Sequence, residues 1–591
     1  MKRKKIKQNE ISLDEIFLDS KNIPGFDTER FEGRIEKALE KNIFLSANII
    51  FMAVLFLIIS RIFYLQIING EKFELRAERN HLRNIPIFPP RGIIYDRNGE
   101  KLVWNDIKKL GDPVSDSDLE FSNEIIERRY NGYFPGLSHI VGYVGLPSAD
   151  DEKIIKDDEF LGLKNYKIGK AGVEKYYNEI LTGEMGRKIV EVDSFGSLIS
   201  ENTQKGARET QPVFLTIDAK LNSKSHEILG EVAKERGFRG GAMVIMDVGT
   251  GGILALANFP EYDSQVLSKG DSYSDIEVFL NDVKKPFLNR AVSGLYPPGS
   301  IIKPLIAIAA LDENIIKADE VLETHGSISL PNPYFPDKKS VFYDWKNHGP
   351  VDMRRALAVS SNVYFYKVGG GYENIKGLGA NAIKKYAEMF NFGAKTGIDL
   401  PSEQDGLVPN PELKSKFDLN DPVWRIGDTY NMSIGQGNFQ VTPVQMAVFA
   451  AAIANNGIIL KPKLLFSSES GSAPKDVFDA EKMNGEVIKK IDIDKKNFEV
   501  IREGMRLAVL EGTARALNGL GVSIAGKTGT AEIGSGKYVN SWFIGFFPYE
   551  NPRFAISVVF EAGNAENLVG AVFATKEILE WMEINTPEYL E

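Results

Sequence analysis

The chain has 591 residues, 43% hydrophobic and 26% charged, which is enough apolar material for more than one packed domain and unlike a disordered chain. A formal net charge of −10 argues against a general nucleic-acid surface. The absence of cysteine removes disulfides, thiolate nucleophiles and cysteine-ligated zinc together.

Residues 1 to about 40 are polar and charged with few aromatics, and read as a flexible tail. From Ile43 to Ser60 the chain carries no charge, and Ile62, Phe63, Tyr64, Leu65 and Ile67 extend the apolar run past Arg61. That length crosses a bilayer as a helix. A cleaved signal peptide would have a shorter apolar region and a small-residue cleavage site; a buried core helix would not be apolar on every face beside a polar tail. Lys2, Arg3, Lys4, Lys5, Arg30, Arg34, Lys37 and Lys41 all precede the span, which predicts a cytoplasmic N-terminus and an external location for everything beyond about residue 68.

After the span, Glu71 to Leu82 has the pattern of a continuing helix. The run Phe88-Pro89-Pro90-Arg91-Gly92-Ile93-Ile94-Tyr95-Asp96-Arg97-Asn98-Gly99 predicts a strand, a hairpin turn at Asn98-Gly99, and a return strand starting at Leu102 and Val103. Arg91, Asp96 and Arg97 read as a surface ion-pair cluster fixing that hairpin. Two further glycine-punctuated runs are His139-Ile140-Val141-Gly142-Tyr143-Val144-Gly145 and Gly169-Lys170-Ala171-Gly172-Val173-Glu174-Lys175-Tyr176-Tyr177. Gln204 to Thr210 suits a linker.

Beyond it, Leu221, Ile228, Leu229 and Val232 mark an amphipathic helix, followed by strands over Gly241–Asp247 and Ile253–Ala257. At the far end, strands are expected over Val522–Ala525, Ser541–Phe547 and Phe554–Val559, before a closing helix with Leu568, Val572, Leu579 and Met582 on one face. This predicts an α+β fold: a sheet built from both chain ends, covered by helices, with a helical insertion between. The Ser467–Lys475 loop is the clearest punctuation inside this region.

The insertion contains Tyr296-Pro297-Pro298-Gly299-Ser300-Ile301-Ile302-Lys303-Pro304. The Pro-Pro-Gly turn makes Ser300 a natural N-cap, with Pro304 in the first helical turn. Residues three apart share a helix face, so Ser300 and Lys303 stand side by side, an arrangement suited to a lysine-activated serine nucleophile. Alone, the pattern is weak and better describes a cap followed by a solvated lysine. Ser360-Ser361-Asn362 and Lys527-Thr528-Gly529-Thr530 follow in the order seen in penicillin-binding proteins and serine β-lactamases. Gly526 to Thr530, between the strand-like Val522–Ala525 and Ala531-Glu532, suits an edge strand that faces a cleft; Gly521 to Thr528 also fits the spacing of a phosphate-binding P-loop, but its interior is strand-like and glycines follow. The five histidines are scattered. Asp337, Asp344 and His348, the one loose acidic and histidine grouping, read as loop hydrogen-bonders, so no metal or other cofactor is expected.

Pro90 to Gly99, the two other glycine-punctuated runs and the three catalytic patterns together resemble class B penicillin-binding proteins. The runs Leu280-Asn281-Asp282, Asn289-Arg290-Ala291, Tyr343 to Gly349, Gly427-Asp428-Thr429 and Ile434-Gly435-Gln436-Gly437 look most like the elongation-type branch, penicillin-binding protein 2, with the division type second. The resemblance implies a cytoplasmic tail (1–42), a transmembrane anchor (43–65), a non-catalytic β-rich pedestal (66–210) and a transpeptidase domain (211–591). It implies an acyl-enzyme on Ser300, with Lys303 as base if kept neutral by burial and by the neighbouring Lys527. Ser360 would relay protons and Asn362 would hold the substrate amide, while Lys527, Thr528 and Thr530 would take the terminal carboxylate of a stem peptide. Gly529 would admit the substrate backbone, and the Ser300 and Thr530 N–H groups would form the oxyanion site. Between Asn105 and His139 only a short polar segment replaces the head subdomain that most relatives carry. Expected partners are peptidoglycan stem peptides, β-lactams, the membrane and a glycan polymerase of the SEDS family, with no nucleic acid. A β-lactamase, a β-lactam sensor and a polymerase-activating scaffold are the rival readings.

Overall fold

The computed structural model describes residues 41–74, 82–109, 124–148, 151, 166–192, 198–208, 210–332, 335, 337–466, 485–534, 536–565 and 570–590. The expectations for the N-terminal tail, for residues 75–81, for residues 110–123 of the reduced-head segment between Asn105 and His139, for the Ser467–Lys475 loop and for Leu568 lie outside them. The chain divides into two compact units, residues 1–84 with 189–202, and residues 85–188 with 203–591.

The first unit holds an α-helix, Lys41–Phe63, continued by a π-helical turn, Tyr64–Ile68. Every side chain from Asn42 to Tyr64 is exposed although nearly all are apolar. No protein packing accounts for that exposure, whereas hydrocarbon would.

In the second unit the framework is a five-stranded antiparallel sheet of β1 (Gly240–Asp247), β2 (Ile253–Phe259), β3 (Ala525–Ile533), β4 (Tyr538–Phe547) and β5 (Phe554–Asn564), in the spatial order β2-β1-β5-β4-β3. Central strand β1 is apolar at successive positions because both its faces are covered. Met243 and Ile245 join a core made with helices α1 (Ala219–Arg236) and α7 (Ala571–Asn585), whereas Ala242, Val244 and Met246 face the larger core of the helical insertion. Helix α1 starts where Asp218 accepts from the Lys220 and Leu221 N–H groups, and ends at left-handed Gly237. The insertion supplies α2 (Lys303–Asp312), α3 (Met353–Val359), α4 (Asn362–Gly370), α5 (Pro443–Ala454) and α6 (Lys495–Leu510). Helix α5 is apolar all round and buried at every position, opened by a reciprocal cap between Thr442 and Gln445.

Strand β3 covers the expected edge-strand run, beginning at Ala525, three residues later than expected, and running to Ile533 through both glycines. Residues 522–524 precede the ladder, and pairing with β4 sets the register Lys527↔Ile544 and Gly529↔Trp542. The P-loop spacing has no counterpart: a strand, not a helix, continues past Thr528.

The Pro90–Gly99 run forms the expected hairpin, with Ile94 opposite Val103. Its charges are not a surface cluster. Asp96 is 1% exposed and accepts from the Asn98, Glu100 and Ala219 N–H groups. Arg91 and Arg128 both bond to Glu174, and Arg97 stacks on Tyr589. The reason lies in partners distant in sequence: Glu174 follows Arg91 by 83 positions, and together they close over buried backbone.

Candidate active site

Ser300 lies in a 3₁₀ turn, Gly299–Ile302, and not at an N-cap as expected; helix α2 starts at Lys303, whose N–H donates to the Ser300 carbonyl. The tightening follows from Gly299, which holds φ +57° and donates its N–H to the Gly435 carbonyl at 2.8 Å. A Cβ on Gly299 would lie 2.6 Å from the Thr530 carbonyl oxygen, so glycine lets the nucleophile turn sit directly against strand β3. Gly529 serves the same contact: a Cβ there would meet Ile301 and the Pro298 carbonyl. The close approach foreseen for substrate is thus made by the protein's own turn. Trp542 Nε1 donates to the Pro297 carbonyl at 3.0 Å and fixes the turn from the sheet side.

Helix α3 ends at Ser360, which adopts φ +57°, and helix α4 starts from Ser361, whose hydroxyl accepts from the Tyr364 N–H. A non-glycine residue in the left-handed region costs on the order of 1 kcal/mol or more and is found where surroundings enforce it. Here it turns both the carbonyl and the hydroxyl of Ser360 toward two amines. Lys303 Nζ donates to the Ser360 carbonyl at 2.8 Å, to its Oγ at 3.3 Å and to Asn362 Oδ1 at 2.7 Å. Lys527 Nζ donates to Ser360 Oγ and to the Thr528 carbonyl, each at 2.8 Å. Thr528 Oγ1 and Thr513 Oγ1 lie 2.6 Å apart. Ser300 is half-buried in the turn that leads into Lys303, and none of these hydrogen bonds involves its hydroxyl.

Both lysines are fully buried. Burial holds the Lys303 ammonium down to about 7, with the Asp344 carboxylate working against it. Burial and then the Lys303 charge keep Lys527 well below the ordinary lysine value. Two amines sharing one hydroxyl in a dry site resist being charged together. A neutral amine beside a serine hydroxyl can accept its proton.

Asp344, read from the sequence as a loop hydrogen-bonder, is one, with a role in supporting the catalytic turn that the sequence did not disclose; Trp345 and Thr513 were not singled out there. Asp344 is a buried acceptor from Ser361 Oγ at 2.7 Å and the Val363 N–H at 2.9 Å, so it orients the turn carrying Ser360 and Asn362. Trp345 Nε1 donates to the Ser360 carbonyl at 3.3 Å, and Thr513 braces Thr528. The Tyr343–Gly349 run held the signal for the first two, since it is an acidic and aromatic loop inside the insertion. His348 Nε2 lies 3.6 Å from Asp344, and burial lowers its pKa, leaving it neutral; Asp337 takes no part in this cluster. Among the described residues no three His, Asp or Glu side chains gather as a metal site.

The sequence profile of the penicillin binding protein transpeptidase domain matches residues 241–580, and that of the penicillin-binding protein dimerisation domain matches residues 121–213. The peptidoglycan D,D-transpeptidase MrdA of Acinetobacter baumannii is 30% identical over 90% of this chain and 86% of its own length. MrdA of Escherichia coli K12 is 29% identical over 90% and 93%. Among solved structures, Pseudomonas aeruginosa PBP2 in complex with WCK 5153 superposes with a TM-score of 0.69 at 29% identity, covering 86% of this chain and 98% of that one. PBP2 of Helicobacter pylori in complex with MreC gives 0.67 at 26% identity, over 85% and 98%. The buried amine pair, the two serines and the edge strand thus stand within the matched region, and the chain belongs to the penicillin-binding protein transpeptidase family.

Proposed function

We propose that the chain is an elongation-type peptidoglycan D,D-transpeptidase in which Ser300 is the nucleophile. Neutral Lys303 takes the Ser300 proton as Oγ attacks the carbonyl of the penultimate D-Ala of a stem peptide. The Ser300 and Thr530 N–H groups receive the oxyanion, where one donor is commonly worth about 2.7–4 kcal/mol of barrier. Ser360 hands a proton to the departing D-Ala amine, Asn362 holds the substrate amide, and Lys527 with Thr528 and Thr530 binds the terminal carboxylate. β-Lactams acylate the same hydroxyl. The observation carrying this reading is that Lys303 and Lys527, 224 positions apart, both donate to Ser360 Oγ.

The relatives named MrdA favour the elongation type over the division type. The apolar helix anchors the protein with its N-terminus cytoplasmic, as the cations ahead of the span indicate. Residues 66–210 act as pedestal and 211–591 as the catalytic domain. A SEDS glycan polymerase is the proposed membrane partner; a similar chain, 25% identical with a TM-score of 0.68, belongs to a structure described as a peptidoglycan synthase complex coordinating polymerization and crosslinking. A role as activating scaffold accompanies catalysis in this reading. Mass spectrometry after fluorescent penicillin tests the nucleophile: one covalent adduct is expected on the full-length chain and none on Ser300→Ala. An adduct persisting in the variant would place the nucleophile elsewhere.

A further inference from the structure

The mechanism above accounts for the donor stem peptide and leaves two exposed aromatic side chains beside the amine cluster without a use. Tyr343 ends the strand Lys339–Tyr343 and is 69% exposed; Trp345, two residues on, is 60% exposed. Both are fastened to catalytic groups. The Trp345 indole N–H donates to the Ser360 carbonyl, the oxygen that also accepts from Lys303. The Tyr343 carbonyl accepts from Asn362 Nδ2 at 3.5 Å and from the Tyr366 hydroxyl at 3.4 Å. Beneath, the His348 ring meets the indole edge-on, centroids 5.0 Å apart, and supports it from the protein side. The Trp345 ring, held in place yet open to solvent, and the exposed Tyr343, whose backbone is tied to Asn362 and Tyr366, have the character of a binding surface at a reactive centre, since aromatic rings offer large contact area at small entropic cost.

Deacylation by transpeptidation narrows what that surface meets. An incoming primary amine must attack the Ser300 ester carbonyl, forming the C–N bond as the C–Oγ bond breaks, while one amine proton passes through Lys303 or Ser360 to Ser300 Oγ. The amine must therefore come within reach of the Lys303–Ser360 pair. Trp345 shares the Ser360 carbonyl with Lys303, so the chain carrying that amine runs beside the indole. Strand β3, with Lys527, Thr528 and Thr530, lies on the sheet side, whereas Tyr343 and Trp345 belong to a hairpin and loop outside the sheet.

Resting on the transpeptidase reading, we propose that Trp345 and Tyr343 form an apolar shelf for the acyl acceptor, a stem peptide that presents a primary amine at the end of an aliphatic side chain. The methylene chain lies on the aromatic faces and delivers the amine to Lys303 and Ser360.

The test uses the full-length protein, a thioester donor and, as acceptor, a blocked peptide with a free side-chain amine, reading aminolysis against hydrolysis across acceptor concentration. Trp345→Ala and Tyr343→Ala should each raise the half-saturating acceptor concentration roughly tenfold, equivalent to about 1.4 kcal/mol. Trp345→Phe keeps the ring and loses the indole N–H, and should raise it less than Trp345→Ala. Acylation by benzylpenicillin, read in the same samples, should fall by less than aminolysis at low acceptor. An unaltered half-saturation in both alanine variants overturns the shelf. So does a parallel fall of acylation and aminolysis at constant half-saturation, which would reduce Trp345 to a support for Ser360. Failure of the unsubstituted protein to acylate at all would instead sink the transpeptidase reading.

Discussion

Two places in the second unit bury charge, and they do so in opposite ways. Near the first hairpin, Glu174 is fully buried between Arg91 and Arg128. Burial alone would raise its carboxyl, but the Arg128 and Arg91 guanidiniums together outweigh burial and hold it below the ordinary glutamate range. At the active centre Lys303 and Lys527 are equally buried, yet among the described residues no carboxylate bonds to either; they share Ser360 Oγ, and both are pushed down. Opposite charges make the first site a structural joint in which every guanidinium nitrogen is hydrogen-bonded. Burial without a bonded carboxylate makes the second a place where Lys303 gives up its proton near neutral pH.

The contrast breaks most visibly at Lys303. Lys303→Ala should slow acylation by benzylpenicillin by roughly 10²–10⁴-fold, the usual worth of a positioned base, while Tm holds or rises because a buried cation is removed; stopped-flow acylation with calorimetry checks both. Glu174→Ala should do the reverse. Leaving two buried guanidiniums without their carboxylate should cost about 3–5 kcal/mol by chemical denaturation, with acylation per folded molecule retained. Because the Glu174 pKa is lowered by folding, its stabilisation is full above the ordinary glutamate pKa and is lost as pH falls through the folded value. The smallest effect belongs to an exposed pair: Arg354 and Glu503 are each about a third to a half exposed, and Glu503→Gln should change stability by no more than about 1 kcal/mol.

The α+β layout, the span and the order of the three catalytic patterns were legible because each is local: the continuous apolar run of β1, apolar length from Ile43, and serine-lysine spacing at 300 and 303. The edge-strand position of Lys527 followed from its apolar neighbours, although strand β3 started three residues later than expected. What stayed hidden depends on residues distant in sequence. Arg91 looked like a surface charge because Glu174 stands 83 positions away. Asp344 and Trp345 lie 16 and 15 positions before Ser360, and only the left-handed turn at Ser360 brings its carbonyl to the indole. Gly529 was read as room for a ligand because spacing cannot distinguish a ligand's approach from that of Pro298 and Ile301.

The pH dependence of the second-order rate of acylation by benzylpenicillin, compared between the unsubstituted chain and Asp344→Asn, tests most directly whether burial makes Lys303 the base. Since a neutral amine is required, the rate should rise with pH through about 7 and level off above it. Asp344 favours the charged lysine, so Asp344→Asn should move the midpoint to lower pH. A rate independent of pH from mildly acidic to mildly alkaline solution, or a midpoint moving upward in Asp344→Asn, would contradict it.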